Sequence, residues 1–336
     1  MIRISFIVPC YNVEGYLHRS LTSIVNSLIP AADYEIICVN DMSSDSTIDS
    51  LNEYAGKYSN IVVVDSKRHL GQSGVRNLAL EKARGKYIWY VDADDNIVSE
   101  SALALLEKCE SECLDVLTFN FRDLDNDGVP FKETNNYKTS FCTTGAEFVK
   151  HNFGRGFREE IGFVWRFLYR RDYLIDNNIL FPVDVSWEDS WYVPKALLSA
   201  ARVDGSTLFG YDYWHNQGSL CRTFEKKYQG KQVYEFSIVA GSCLLRLSEE
   251  QVDGWAEKIV REIAVNDYIN YLPVLLVRSN FKERKEFYCL LRRNHTLLNE
   301  IKPCMTGISR MLVNPIMGRL FSEMFSIAYK IKHAVK

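Results

Sequence analysis

Apolar residues in the first 120 positions follow two alternating patterns. Five short runs are apolar at nearly every position, and the segments between them carry apolar residues every three or four positions. The first pattern is typical of strands covered on both faces, and the second of helices that pack one face on a core. Their alternation predicts an α/β fold with a Rossmann-like, mainly parallel sheet flanked by helices. The predicted strands are ISFIVP, EIICVN, IVVVD, YIWYVD and DVLTFN.

Beyond residue 120 the pattern changes. Residues 122–140 are mostly polar, which predicts an exposed excursion or a hairpin. Residues 141–225 are rich in aromatic side chains, and we expect them to complete a domain that spans residues 1–225. From residue 226 to 336 helical periodicity dominates, which predicts a C-terminal helical region.

The last twenty residues, 317–336, have an amphipathic pattern. Leu320 and Ile327 share an apolar helical face, and Arg319 and Lys330 lie opposite to it. Two interpretations remain open, a helix packed on its own domain and a basic helix lying on an anionic membrane surface.

Composition and charge narrow the classes of protein. The formal net charge of -3 does not indicate the strongly basic surface that is typical of nucleic-acid-binding proteins, so we expect no nucleic-acid partner. Nine cysteines, an odd number without a Cys-x-x-Cys pair, favour reduced thiols in a reducing compartment. The first apolar run ends at Pro9, and no run of about 18 apolar residues follows, so neither a signal peptide nor a membrane span is expected. We therefore expect a cytoplasmic protein.

Carboxylates crowd the end of the fourth predicted strand. Asp92, Asp94 and Asp95 lie within four positions, and like charges this close repel unless a cation or a proton intervenes. In open α/β sheets, ligands bind at the carboxyl ends of the strands. Hard oxygen ligands suit Mg²⁺ or Mn²⁺ together with a diphosphate. The alternative is a turn in which Asp95 and Asn96 hydrogen-bond the backbone.

A further carboxylate, Asp41, ends the second predicted strand. It could accept a hydrogen bond from the imide of a nucleotide base, or it could cap the helix that follows.

Four ordered segments resemble an inverting family 2 glycosyltransferase of the GT-A type. They are SFIVPCYNVEGYLHRSLTSI, EIICVNDMSSDSTIDSL, GQSGVRNLALEKARGKYIWYVDADD and WEDSWYVPKAL. The resemblance is close over residues 2–120 and looser over 141–222. It implies a nucleotide-sugar half at 1–120 and an acceptor half at 141–225. It also implies transfer from a nucleoside diphosphate sugar with inversion, dependent on Mn²⁺ or Mg²⁺.

The same resemblance implies which residues bind the donor. Asp41 would read the base, most often uracil, and Asp92 with Asp94 would hold the metal and contact the diphosphate. For Arg76, pairing with a nearby aspartate is the structural alternative. The complete donor set is Pro9, Tyr11, Asn12, Asp41, Gly71, Gly74, Arg76, Asn77, Asp92, Ala93 and Asp94.

Residues of the acceptor half are implied in the same way. Asp189 would be the general base, with Glu188 as its neighbour and second choice; the alternative is that both only favour a helix start. Trp165 would face the acceptor, although Arg166 replaces the usual asparagine, and a core tryptophan is the alternative. His215 would reach the metal or the diphosphate, or only hydrogen-bond within a loop.

The sequence thus predicts transfer of a sugar, most often from a UDP-sugar, to a glycan or lipid-linked glycan. A lipid-linked acceptor would give the C-terminal helix a purpose at the inner face of the membrane. An inactive GT-A nucleotide-binding or scaffold protein is an alternative, and so is a sugar nucleotidyltransferase. The latter is disfavoured because no glycine-rich basic loop follows the first strand.

Overall fold

The computed structural model describes residues 1–134, 142–152, 163–183, 188–216 and 230–250, and shorter stretches between 258 and 322. The chain divides into two compact units. The first comprises Met1–Asp184 and Tyr192–Gln217, and the second comprises Val185–Trp191 and Gly218–Lys336. The domain boundary predicted at residue 225 falls in 217–229, outside the described residues.

The first half of the sheet is parallel, as the alternating pattern predicts. Strand β2 (Tyr34–Asn40) lies between β1 (Ile4–Cys10) and β3 (Ile61–Asp65), and β4 (Tyr87–Tyr90) flanks the other side of β1. The residues of β2 and β4 are all buried, because helices cover both faces. This burial explains why these strands lack a polar alternation.

The second half of the sheet is mixed. Strand β8 (Phe167–Arg170) runs antiparallel between β4 and β6 (Val116–Leu124), and β9 (Val203–Trp214) lies parallel to β6. Strand β5 (Asn96–Ile97) pairs antiparallel with β9 at the edge. Strand β7 (Pro130–Thr134) pairs antiparallel with β6, which confirms the predicted hairpin up to residue 134.

Helices of the first unit lie on both faces of the sheet. Leu17 and Leu21 of α1 share one core with Leu105 of α4 and Trp89 of β4. Helix α3 packs on β1 and β2, and its buried residues are separate from that core. The α-helices described up to residue 198 are α1 (Glu14–Val25), α2 (Thr47–Lys57), α3 (Gly71–Lys82), α4 (Ser99–Ser111), α5 (Gly145–Asn152), α6 (Arg171–Asp176) and α7 (Asp189–Leu198), the last of which begins in the second unit.

Every regular element described between residues 230 and 322 is helical, as predicted for this region. None of the described helices combines the length and the apolar character that a membrane span requires. The predicted amphipathic helix at 317–336 falls outside the described residues except for two positions. The α-helices are α8 (Gly230–Tyr234), α9 (Gly241–Glu250), α10 (Leu272–Arg278), α11 (Phe281–Arg293) and α12 (Gly307–Leu312).

Candidate active site

The carboxyl ends of the parallel strands bring the predicted donor-binding segments to one edge of the sheet. The segment after β1 is tied to the segment after β2, since the backbone N–H of Ser44 donates to Asn12 Oδ1 over 2.8 Å. Asn12 has a positive φ of 53°, a conformation that asparagine tolerates better than most residues. Pro9 lies within β1 opposite Val39 of β2. The segments that follow β1 and β2 thus form one continuous part of this sheet edge, which we call the rim.

Asp41 is buried at this rim, with 3% of its surface exposed, and it binds the start of α3. Its carboxylate accepts hydrogen bonds from the backbone N–H of Leu70 at 2.6 Å and of Gly71 at 2.9 Å. Asp41 therefore caps a helix, but the capped helix is α3 and not the next helix along the chain. A carboxylate offers about four acceptor positions, so these bonds leave room for a ligand.

Two exposed rings stand beside Asp41. The Tyr11 ring is 53% exposed and lies 5.1 Å from the His69 ring, measured between centroids, at an angle of 52°. His69 Nδ1 is 2.9 Å from Asp41 Oδ2. His69 was absent from the residues predicted by sequence. The signal that could have found it is its position just after β3, on the same edge.

Arg76 joins α3 to the carboxylates that follow β4. Its Nη2 donates to Asp92 Oδ1 over 3.0 Å, and the arginine is 1% exposed. The structural alternative predicted for Arg76, pairing with an aspartate, is therefore present. Gly74 lies two residues before Arg76, at a position where a Cβ would come within 2.9 Å of Leu70 Cβ, so a side chain would crowd the first turn of α3. Asn77 binds the backbone of Phe181 through both its amide atoms.

Asp94 and Asp95 have different surroundings. The Oδ2 atom of Asp94 accepts from Asn216 Nδ2 over 3.1 Å; burial, together with the charge of Asp92, raises the pKa of this carboxyl. Asp95 is buried and accepts from the Tyr211 hydroxyl at 3.1 Å and from the Trp214 N–H at 2.7 Å. Asp95 therefore shapes the turn, and Asp92 and Asp94 are the carboxylates of this turn that could bind a ligand. Between those two, Ala93 is buried at 3% exposure.

The donor set at this turn suits a divalent ion that also binds a diphosphate. Among the described residues, no three Asp, Glu, His or Cys side chains group as a metal site. Mg²⁺ and similar ions are commonly held by one or two carboxylates plus substrate phosphate oxygens, which Asp92 and Asp94 can provide. Burial, and after it the charge of Asp92, raises the pKa of Asp94, and a bound cation would favour the ionised carboxylate.

His215 does not join Asp92 and Asp94 in a three-ligand group in the described structure. Its Nε2 atom lies 2.7 Å from Asp123 Oδ1, and its ring meets the edge of Phe131 at a centroid distance of 4.7 Å. The geometry corresponds to the alternative of local hydrogen bonding. The resemblance implied that His215 either reaches the metal or the diphosphate or only hydrogen-bonds locally, and its side chain is directed to Asp123 of β6.

Trp165, expected at the acceptor site, lies in the core. It is 1% exposed, and its ring stacks on Tyr211 at 4.2 Å and on Phe163 at 5.0 Å between centroids. Its backbone carbonyl accepts from Trp89 Nε1 over 2.9 Å. The acceptor assignment is therefore wrong, because stacked rings leave no face of Trp165 open to a sugar. The sequence cannot separate these cases, since a core tryptophan and a sugar platform have the same residue type.

Asp189 and Glu188 stand at the start of α7, where the helix dipole favours carboxylates. Glu188 is buried, and its carbonyl accepts from the Trp191 N–H over 3.2 Å. Both acids belong to the second unit, whereas the later turns of α7 belong to the first. There Tyr192 stacks on Phe181 with a centroid distance of 3.8 Å. The role of Asp189 as base stays a prediction.

The fold is similar to that of a solved glycosyltransferase. The crystal structure of S. aureus TarS 1–349 in complex with UDP-GlcNAc matches with a TM-score of 0.72 and 20% sequence identity. The match covers 98% of this chain and 92% of that one. The molecule thus has the GT-A fold that the sequence predicted, a sheet flanked by helices. The sheet is mixed, because β5, β7 and β8 add antiparallel pairs to the parallel strands.

Sequence comparison gives the family. The model for glycosyl transferase family 2 matches residues 5–176, about half of the chain. The poly(ribitol-phosphate) beta-glucosyltransferase of Bacillus spizizenii is 34% identical over 219 residues, which are 64% of this chain but 32% of that protein. The uncharacterized glycosyltransferase EpsJ of Bacillus subtilis is 32% identical over 255 residues, 71% of this chain and 72% of that protein. The chain belongs to glycosyltransferase family 2.

Proposed function

We propose that the protein transfers a sugar from a UDP-sugar to a glycan or lipid-linked glycan, with inversion at the anomeric carbon. The observation that carries the proposal is the helix α3, which connects two parts of one sheet edge. Asp41 caps its first residue, and Arg76 in its second turn binds Asp92. A base beside Asp41 and a diphosphate beside Asp92 and Asp94 would then lie along one rim.

The base would lie beside Tyr11, whose exposed ring offers a stacking surface. The imide N–H of uracil would donate to a free lone pair of Asp41. TarS, which has the same fold, was crystallised with UDP-GlcNAc, and this supports a uridine nucleotide here. Thymine has the same imide edge, so a dTDP-sugar is the competing donor.

Asp92 and Asp94 would hold Mn²⁺ or Mg²⁺ through their carboxylates. When bound, such an ion would neutralise negative charge on the departing diphosphate. The protein aligns the reacting groups: Arg76 fixes Asp92, and Asn216 fixes Asp94. Asp189 would take the proton of the acceptor hydroxyl as it attacks the anomeric carbon from the opposite face. Inversion by this route needs no covalent intermediate.

The acceptor class rests on the relatives alone. The Bacillus spizizenii relative is named for action on poly(ribitol-phosphate), and this chain spans a third of its length. A polymer rich in hydroxyl groups is therefore the acceptor we propose. Contact of the C-terminal residues with a membrane stays a prediction, and so does a cytoplasmic location.

Calorimetric titration of UDP with and without Mn²⁺ tests the donor site directly. We expect tight binding only with Mn²⁺, and saturation at a hundred times the dissociation constant should stabilise the fold by about 2.7 kcal/mol. Asp94→Asn should abolish the effect of Mn²⁺, whereas Asp172→Asn, at an exposed ion pair with Arg171, should not. Binding of dTDP or GDP instead of UDP would show that the donor carries that nucleotide. If no nucleotide binds, an inactive scaffold protein becomes the favoured hypothesis.

A further inference from the structure

Two residues outside the predicted donor set hold Asp94 in place. Arg19 of α1 donates through Nη2 to the backbone carbonyl of Asp94, and also to Asn216 Oδ1 over 3.0 Å. Asn216, which follows β9, donates through Nδ2 to the same carbonyl at 3.2 Å and to Asp94 Oδ2 at 3.1 Å. Arg19 and Asn216 thus hold both the backbone and the side chain of Asp94.

Arg19 is itself anchored by aromatic rings. Its guanidinium carbon lies 3.8 Å from the centroid of the Trp214 ring and 5.1 Å from that of Tyr16. The backbone N–H of Trp214 donates to Asp95 in the same turn. A planar guanidinium stacks on an aromatic face while its edge donates hydrogen bonds, which the ammonium of lysine cannot reproduce.

The direction of these bonds matters for the charge at Asp94. A guanidinium only donates, so the atom of Asn216 that faces Arg19 must be the amide oxygen. The NH₂ group of Asn216 must then face the carboxylate of Asp94. If the amide were reversed, its oxygen would oppose Asp94 Oδ2 and repel it. Arg19 therefore determines which end of Asn216 meets Asp94.

We propose that Arg19 is a positioning residue, which acts through Asn216 to orient Asp94 for the metal-bound diphosphate of the donor. The proposal rests on the proposed function, since it concerns the same site. Arg19 lies at a partly exposed position of α1, and the core side chains of that helix are Leu17, Leu21 and Ile24. A change at Arg19 is thus separable from loss of the core.

The test compares UDP binding with and without Mn²⁺ in Arg19→Gln and Arg19→Lys. Loss of an outer-shell partner typically weakens metal affinity by about 10- to 100-fold. We expect Arg19→Gln to lose at least about tenfold of the Mn²⁺-dependent UDP affinity, with UDP binding in the absence of metal unchanged. Arg19→Lys should recover only part, because lysine keeps the charge but not the planar group that stacks on Trp214 while it donates to Asp94 and Asn216. Direct Mn²⁺ binding, followed by electron paramagnetic resonance, gives a second readout.

The control is Arg122→Gln, because Arg122 donates its charged bonds to Asp212, at 2.6 and 2.8 Å, rather than to Asp94. It should retain the Mn²⁺ dependence of the wild type. A double variant, Arg19→Gln with Asn216→Ala, should lose less affinity than the sum of the two single losses, because the two residues hold Asp94 together.

Three results would overturn the positioning role. One is an Arg19→Gln protein with wild-type Mn²⁺ dependence, and another is an equal loss of UDP affinity with and without the metal. The third is additive loss in the double variant. If the wild type itself shows no Mn²⁺-dependent nucleotide binding, the proposed function fails first, and the assignment of Arg19 fails with it.

Discussion

The guanidinium of Arg76 is almost completely buried and donates to the carboxylate of Asp92 over 3.0 Å. The guanidinium carbon of Arg76 also lies 5.2 Å from the centroid of the Phe181 ring. The pair connects α3 with the end of β4, so it links the packing of a helix to the geometry of the candidate metal site. Asp92 is 24% exposed through its side chain, which leaves it accessible to a ligand.

We predict that Arg76→Met destabilises the fold. Removing one partner of a buried charged pair leaves Asp92 beside Asp94 with less compensation, and about 2 to 4 kcal/mol of unfolding free energy should be lost. Urea denaturation measures the change. Arg171→Met, which breaks an exposed pair with Asp172, should cost less than about 1 kcal/mol. Equal effects of the two changes would contradict the importance of the Arg76 bond.

Tyr11 should contribute to nucleotide affinity through its ring. Stacking of a base on an aromatic side chain contributes about 1 to 3 kcal/mol, so Tyr11→Ala should weaken UDP binding by about 5- to 150-fold. Tyr11→Phe keeps the ring and serves as the matched control. Calorimetry with UDP measures both. The prediction is wrong if the alanine variant binds like the wild type.

Asp189→Asn should reduce transfer without loss of the donor site. General-base catalysis typically contributes about 10²- to 10⁴-fold, so kcat should fall by that factor. Affinity for UDP with Mn²⁺ should stay close to the wild type. Initial rates of UDP release, with an acceptor found by screening, measure the loss, and Glu188→Gln separates the two neighbours. A parallel loss of UDP affinity would argue for a structural role of Asp189.

Trp165→Ala should lower the free energy of unfolding, because Trp165 belongs to the core. Truncation of a buried aromatic side chain costs about 3 to 5 kcal/mol, which chemical denaturation would detect. Trp165→Phe preserves most of the stacking with Tyr211 and should cost less. A stable Trp165→Ala variant with impaired transfer would restore the acceptor role that its burial excludes.

Asp45 gives a prediction for pH. Burial alone would raise its pKa, but hydrogen bonds from the Thr47 side chain and from the backbone N–H of Glu14 and Thr47 outweigh it and hold the pKa below the usual value. A carboxyl with a lowered pKa in the folded state stabilises the fold above its unfolded pKa, near 3.9. That contribution is lost as the pH falls through the folded pKa.

Asp45→Ala should therefore lower the unfolding free energy by about 1 kcal/mol at pH 7, as loss of a helix cap does. The difference from wild type should begin to shrink at about pH 4, the unfolded pKa, and should be lost as the pH falls through the lowered folded pKa. Thermal denaturation across pH 3 to 7 measures it, with the exposed Asp49→Asn as control. A difference that does not change with pH would show that the charge of Asp45 is unimportant.

The sequence by itself determined the parallel half of the sheet and the location of its ligand edge. Strands β1 to β4 and helices α1 to α4 depend on local apolar periodicity, and strand ends in a βαβ series meet at one edge whatever the details of packing. The carboxylates of Asp92 and Asp94 could be placed there, because their position relative to a strand is a property of the chain.

Only the tertiary structure decided the partners of those side chains. The antiparallel insertion of β8 between β4 and β6 joins residues about 80 positions apart in β4 and β8, and no local pattern encodes such a register. The same holds for Asp41 capping α3, for Asn216 binding Asp94 and for Trp165 stacking in the core. Residue type defines which bonds a side chain can make, but the folded chain selects among partners that are distant in sequence.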